Sequence, residues 1–333
     1  MRLVRKFSSV TVPVVDIAKS FHHGSEAKVV AANLRDAAES TGFMYITGHG
    51  VTEETSSNAY EALRRFFALP LEQKMRYHAS KAGGLRGYIG MYEQGNYGID
   101  ESDLRQGETQ KEDALLDAKE LYSFGPDLPT DHPDYHPMLF APNVWPTAID
   151  TTFQAPIEAY YKAVHNLSKH MFSLFARSLG RAPDFFEPHI THGMNSLNCI
   201  HYPPMAANAP PRQLGIGEHT DFECFTLLSQ DETKGLEILT ADKQWISVPP
   251  KPNHFVVNIG DMMARWTNNH FRSTVHRAAN RETDAHRYAM AYFCCCNYST
   301  TISSLMEGEP AKYKEVVAGE HLVARVSAAN TVQ

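Results

Sequence analysis

Apolar residues recur at helical spacing through the first half of the chain and at strand spacing through the second. In residues 26–40, Val29, Val30, Leu34 and Ala37 predict a helix that Gly42 stops. Residues 43–47 read as a short buried strand, and Gly48-His49-Gly50 as a tight turn. Thr52 is placed to cap a helix over 53–68, with Glu53 and Glu54 at its positive end. Residues 148–179 carry the longest helical stripe, through Ile157, Tyr160, Tyr161, Val164, Leu167, Met171 and Leu174, and Gly180 ends it. A shorter helical piece is expected over 182–186. From Ser196 the period changes from 3.6 to 2. Strands are predicted at 196–202, 219–229, 236–239, 245–248, 255–259, 273–276 and 288–296, with Gly, Pro, Asn and Asp between most of them. Residues 119–124 predict a further strand, and 311–329 a closing helix. Many short strands with such punctuation indicate a sandwich or barrel, so the fold class is mainly β with flanking helices.

Two segments read as irregular: 81–97, rich in glycine and tyrosine, and the proline-rich 125–146. Residues 100–119 are polar and read as a surface excursion. No repeat or boundary divides the chain, so residues 1–333 are expected to form one domain. Within it, 1–195 is mostly helix and loop, and 196–300 contains most of the strands.

Composition narrows the class of function. Of 333 residues, 43% are hydrophobic and 21% charged, which suffices for a sizeable core. The net charge of −7 is spread without long runs, so neither nucleic acid nor an anionic membrane is the expected partner. No apolar stretch approaches the ~20 residues of a membrane span, and the basic start lacks a signal-peptide core. Cys199, Cys224 and Cys294-Cys295-Cys296 show no disulfide spacing. Free thiols in a reducing compartment, the cytoplasm, are expected.

The chemistry concentrates between His219 and Ala289. On an extended strand His219 and Asp221 point to one face, and His276 joins them if the fold brings it back. Two imidazoles and one carboxylate, with half the coordination sphere open, describe the facial triad of a non-haem iron(II) centre. With 17 histidines in the chain, His-x-Asp alone carries little weight. Its surroundings carry more: Gly215-Ile216-Gly217-Glu218 before it, Asn258-Ile259-Gly260-Asp261 after it, and Arg287 eleven residues beyond His276.

These motifs, with Val12-Pro13-Val14-Val15-Asp16, Gly42 to Val51, Phe66 to Met75, Tyr122 to Pro126, Asn143-Val144-Trp145-Pro146 and Tyr202-Pro203-Pro204, occur in one order. The chain resembles the isopenicillin N synthase-like iron(II)/2-oxoglutarate-dependent oxygenases over nearly its whole length. The resemblance implies a double-stranded β-helix, a distorted jelly roll, with the metal inside one open end. It implies Fe(II) at His219, Asp221 and His276, 2-oxoglutarate as cosubstrate and O2 as oxidant. Hydroxylation, desaturation or ring formation on a small or medium metabolite would release succinate and CO2. Arg287 would bind the distal carboxylate of 2-oxoglutarate, and Tyr202 aligns with a tyrosine that also reaches it. One position departs from the pattern: Ala289 stands where the family usually has serine. One lost hydrogen bond to a charged group is worth ~1.5–3 kcal/mol, about ten- to a hundredfold in affinity. The strand 287–293 resembles that of microbial ethylene-forming enzymes, which keep 2-oxoglutarate dependence with alanine there.

Substrate candidates are Arg86, Tyr88 and Met91, in a segment that borders the pocket in the family, with Asn198, Lys119, Phe222, Phe225, Trp266 and Phe293. Three alternatives stand beside the main reading: an oxidase with the same triad and no 2-oxoglutarate, an ethylene-forming activity, and a non-catalytic binder on the same scaffold. The identity of the substrate and the oligomeric state are not legible in the sequence.

Overall fold

Alternation along the strands decides what each side chain faces. In chain order the strands are β1 (Val14–Asp16), β2 (Phe43–Thr47), β3 (Gly87–Ile89), β4 (Glu120–Phe124), β5 (Ser196–Tyr202) and β6 (Ile216–His219). They continue with β7 (Phe225–Gln230), β8 (Leu236–Leu239), β9 (Trp245–Ser247), β10 (Phe255–Ile259), β11 (His276–Ala278) and β12 (Arg287–Cys294). The short β13 (Thr301–Ile302) and β14 (Val316–Val317) pair with each other. The computed structural model describes residues 11–21, 24–81, 83–95, 116–205, 209–210, 213–279 and 284–329. Most of the polar excursion expected at 100–119 lies outside them.

Eight strands form a mixed sheet in the order β1-β2-β10-β7-β12-β5-β4-β3, and four form a second in the order β6-β11-β8-β9. On the large sheet one parity faces the helices. Met44, Ile46, Tyr88, Tyr122, Phe124, Leu197, Cys199, Phe225, Leu227, Val257, Met290 and Tyr292 join the helix-side core. The other parity faces the small sheet. Phe43, Tyr45 and Val256 meet Leu236, Ile238 and Val248 at one end, while Leu121, Ile200, Tyr202, Ala289 and Ala291 meet Ala278 at the other. Two sheets closing around an interior of this kind are the double-stranded β-helix. Helices Ser25–Ser40, Glu53–Phe67 and Gln154–Ser178 cover the outer face. Thr52 caps the second of these, its side chain accepting from the Thr55 N–H. Among the described residues no helix is long and apolar enough to cross a membrane.

Several expected bounds shift. The strand expected over 219–229 is two strands: β6 ends at His219, and residues 220–224 bend before β7. The bend is pinned by backbone bonds from Asp261 N to Asp221 O (2.8 Å) and from Gly260 N to Cys224 O (2.9 Å). A Cβ at Gly260 would collide with the Glu223 carbonyl, so only glycine permits this approach. The strand expected at 273–276 instead covers His276–Ala278. Before it, Val275 O still accepts from Leu239 N (2.9 Å), while Ser273 Oγ donates to Asp261 Oδ1 (2.5 Å) and Thr274 Oγ1 to Thr41 O (2.8 Å). Residues 183–186 are turn, followed by a 3-10 turn at Glu187–His189. The long helix begins at Gln154 and the last at Ala318. Strand β3 and the short helix Pro137–Phe140 arise in segments that read as irregular.

Candidate metal centre and cavity

His219 ends β6 and His276 opens β11, and the two residues lie directly opposite in an antiparallel register. Cross-strand partners share a face, which closes the long sequence gap between them. The ring centroids are 4.2 Å apart. Asp221 enters from the bend. Its Oδ1 lies 3.6 Å from His219 Nε2 and 3.5 Å from His276 Nε2. Metal–donor bonds of about 2.1 Å at right angles put neighbouring donor atoms about 3 Å apart, so this set is within a small contraction of closing on one ion.

The supporting bonds leave the metal-facing atoms available. His219 Nδ1 donates to Gly217 O (2.8 Å) and His276 Nδ1 to Thr274 O (3.1 Å). In its neutral form each ring is thereby held in the tautomer whose Nε2 carries the lone pair. Asp221 Oδ2 accepts from Asn258 Nδ2 (2.6 Å) and from Thr226 Oγ1, which leaves Oδ1 to the ion. Asp261 ties the two ligand segments together. It accepts from Thr220 Oγ1 (3.1 Å), which stands between the first two ligands, and from Ser273 Oγ.

Electrostatics agree with a cation site. Burial, then His276, push His219 down to about 4, while at His276 burial is outweighed by Asp221, which raises it. Without an ion a proton on His276 therefore partners the carboxylate, and a bound cation would displace it. Burial acts to raise Asp221, but His276, His219 and the Thr226 hydroxyl outweigh it and hold the carboxylate ionised. Among the described residues these three are the His/Cys/Asp/Glu group whose donor atoms all lie within 4.8 Å of one another. Two imidazoles and a carboxylate suit a divalent first-row ion.

A cavity of about 150 Å³ opens on His219 and Asp221. Of the residues expected in a substrate pocket, Arg86, Lys119, Asn198, Phe222 and Phe293 line it. Four others do not. Tyr88 has the outward parity, and on the helix side its hydroxyl donates to Glu120 Oε2 (2.6 Å). Phe225 faces the helices, with its ring 4.8 Å from Phe172 and 5.0 Å from Phe175. Trp266 packs on Phe186 (5.1 Å) behind the ligand loops. Met91 borders a separate hollow with Tyr92, Pro203 and Pro204. Glu223, Ser123, Ser196, and Val326 and Ala329 of the last helix also line the cavity without having stood out as pocket residues. Ser196 shares its strand face with Asn198 and Ser123 with Leu121, so period 2 is the signal that reaches them. Burial, then the Asp221 charge, push Glu223 up to about 8.

Arg287 and Tyr202 are opposite each other on β12 and β5, one same-face step beyond Ile200 of the cavity wall. Arg287 is 1% exposed and its guanidinium lies 4.6 Å over the Tyr202 ring. Its Nη2 donates to Gln230 Oε1 (3.0 Å), while Nε and Nη1 have no partner. A buried guanidinium with two unused donors fits a carboxylate ligand. Ala289 is paired with Gln230 across β7, so an amide stands beside the position where the family pattern has serine.

Comparison with known proteins agrees with this geometry. Residues 12–148 match the family described as non-haem dioxygenase in morphine synthesis N-terminal, and residues 192–296 the 2OG-Fe(II) oxygenase superfamily. The chain is 36% identical to the clavatol oxidase claD of Penicillium crustosum, over 97% of this chain and 98% of that protein. It is 33% identical to the 2-oxoglutarate-dependent dioxygenase tropC of Talaromyces stipitatus, over 95% and 94%. A full-length Neurospora crassa protein, solved in complex with alpha-KG and thymine, superposes with a TM-score of 0.82 at 26% identity, covering 97% of this chain and 98% of that one.

Proposed function

The chain belongs to the 2OG-Fe(II) oxygenase superfamily, and on that premise we propose that it oxidises a small or medium-sized metabolite of secondary metabolism in the cytoplasm. The observation that carries the assignment of chemistry is the three-donor set His219 Nε2, Asp221 Oδ1 and His276 Nε2 with its tautomers fixed. Iron(II) with 2-oxoglutarate supplies the oxidising chemistry when bound: O2 is consumed, 2-oxoglutarate becomes succinate and CO2, and a substrate C–H bond is oxidised. The protein supplies position and dryness. His219, Asp221 and His276 would hold the ion, and the cavity that opens on His219 and Asp221 would admit the cosubstrate and substrate to it. Arg287 pairs with the distal carboxylate of 2-oxoglutarate, aimed by Gln230 and the Tyr202 ring. Phe222, Phe293, Ile200 and Ile216 give the cavity an apolar wall that excludes water. Asn198, Lys119 and Arg86 add the polar groups that orient a substrate.

The oxidase alternative that dispenses with 2-oxoglutarate is not favoured. Relatives are named as 2-oxoglutarate-dependent dioxygenases, and the Neurospora structure holds alpha-KG. That structure also holds thymine, and the Penicillium relative is named for clavatol; both support a small-molecule substrate. The cytoplasmic reading is supported by five free, buried cysteines.

The test is an anaerobic titration of 2-oxoglutarate into the iron(II)-loaded protein, following the visible charge-transfer band of a chelated 2-oxoacid. A saturable band that needs His219 and weakens strongly in Arg287→Ala is expected. Iron binding without a band would remove the cosubstrate assignment.

A further inference from the structure

Among the described residues, the buried lysines and arginines are Lys74, Arg86, Lys119 and Arg287. Lys74 pairs with Glu120 (2.6 Å) and Lys119 with Asp117 (2.5 Å). The two arginines form no ion pair with a described acid; Asp127 acts on Arg86 only from beyond salt-bridge distance. Burying an unpaired charge is costly, so a site with one is built for an anion that arrives later. For Arg287 that anion is the cosubstrate carboxylate. Arg86 lies in the wall of the same cavity as His219 and Asp221, and no anion has yet been assigned to it.

Arg86 is 3% exposed. Its Nη2 donates to the Leu139 carbonyl, and its Nε has no partner. The guanidinium lies against Gly125, where any Cβ would collide with it, so the chain leaves room for it. A second unused group is in the same wall. Asn198 Oδ1 is buried and accepts no hydrogen bond, and Asn198 is paired with Ser123 on β4, two residues before Gly125.

We propose that the substrate carries an anionic oxygen, a carboxylate or an ionised phenol, that pairs with Arg86, and a hydroxyl or N–H that donates to Asn198 Oδ1. The proposal rests on the iron and 2-oxoglutarate reading of the adjoining centre. Sheet order also bounds the molecule. Thr226, which holds Asp221, is on β7, and Gly125 directly follows β4; β12 and β5 lie between. Three strand spacings put Thr226 and Gly125 about 14 Å apart along the curved sheet, which sets the scale of the distance between the acidic group and the oxidised carbon.

The test uses the iron(II)- and 2-oxoglutarate-loaded protein without O2, so that Arg287 is already occupied. Thermal unfolding is followed with benzoate against benzamide, and at alkaline pH with 4-nitrophenol against 4-nitroanisole. At least one anion is expected to raise Tm while its neutral counterpart does not, and the pair that responds tells carboxylate from phenolate. Its apparent affinity should fall at least tenfold in Arg86→Met and recover in part in Arg86→Lys. Ligand-free Arg86→Met loses the bond to the Leu139 carbonyl together with an unpaired charge, two opposing effects, so its own Tm without ligand is the baseline for each shift. No response to either anion, equal shifts from anion and neutral partner, or an anion response unchanged in Arg86→Met overturns the proposal while leaving the 2-oxoglutarate band intact. Loss of that band in the parent protein overturns the underlying reading as well.

Discussion

Asp221 offers one oxygen to the centre because its other oxygen is already taken by Thr226 and Asn258. Removing either donor frees the carboxylate to rotate. Asn258→Ala is expected to weaken divalent metal binding about 10–100-fold, measured by competition with a chromogenic chelator; an unchanged affinity would mean that Thr226 alone suffices. Arg287 invites a second experiment. Its Nε and Nη1 are unpaired while Gln230 holds Nη2. Ala289→Ser adds a hydroxyl on the same face of β12, and 2-oxoglutarate should then bind equally well or up to about tenfold more tightly. A marked loss in the titration would show that the alanine makes room for something.

At the scale of elements, β4 does different work on its two faces. Leu121 and Ser123 face the cavity. Glu120 faces the helices, where its carboxylate accepts from Lys74 (2.6 Å) and Tyr88 (2.6 Å) and bonds His201 (2.7 Å). His201 in turn meets His286 (2.8 Å). This cluster joins β3, β4 and β5 to the helical layer. Glu120→Ala leaves Lys74 buried without its acid, at a cost of about 3–5 kcal/mol, to be read as a lowered denaturation midpoint with its slope retained. Burial acts to raise the Glu120 carboxyl, but the bonds from His201, Lys74 and Tyr88 outweigh it and hold it below the ordinary carboxylate value. Its folded pKa is therefore below the unfolded value of about 4.3. The stability it contributes is fully present above that value and is lost as pH falls through the lower, folded one. In Glu120→Gln the decline of stability below about pH 4 should be shallower than in the parent protein; an identical acid limb would assign the decline to other carboxyls.

Across the whole molecule, the centre exists only where two sheets meet. His219 and His276 belong to the small sheet, Thr226 and Asn258 to the large one, and Asp221 and Asp261 to the segments between. Metal binding is therefore coupled to folding. Iron(II), or manganese(II) as an inert substitute, should raise Tm of the parent protein by several degrees, and a chelator should reverse it. His219→Ala and Asp221→Ala should lose that response together with turnover. A metal-dependent rise that persists in both would place the ion elsewhere.

Residue types and strand periodicity determined much of this protein from the chain alone. Strands at 43–47, 196–202, 236–239 and 255–259 were legible because short apolar runs between turn residues have few other stable forms, and the three ligands because the motifs around them stand in one family's order, His-x-Asp alone being too common to decide. Three things needed the tertiary structure. One is parity: Tyr88 and Phe225 look like pocket residues, but which face of a strand turns inward depends on where the sheets and helices pack. Another is the bend at 220–224, where contact with Gly260 interrupts an apolar run that reads as continuous strand. The last is pairing: Asn258, Thr226, Gln230 and Asp261 acquire their roles from residues far away in sequence, and the unpaired state of Arg86 and Arg287 is visible only once their neighbours have been placed.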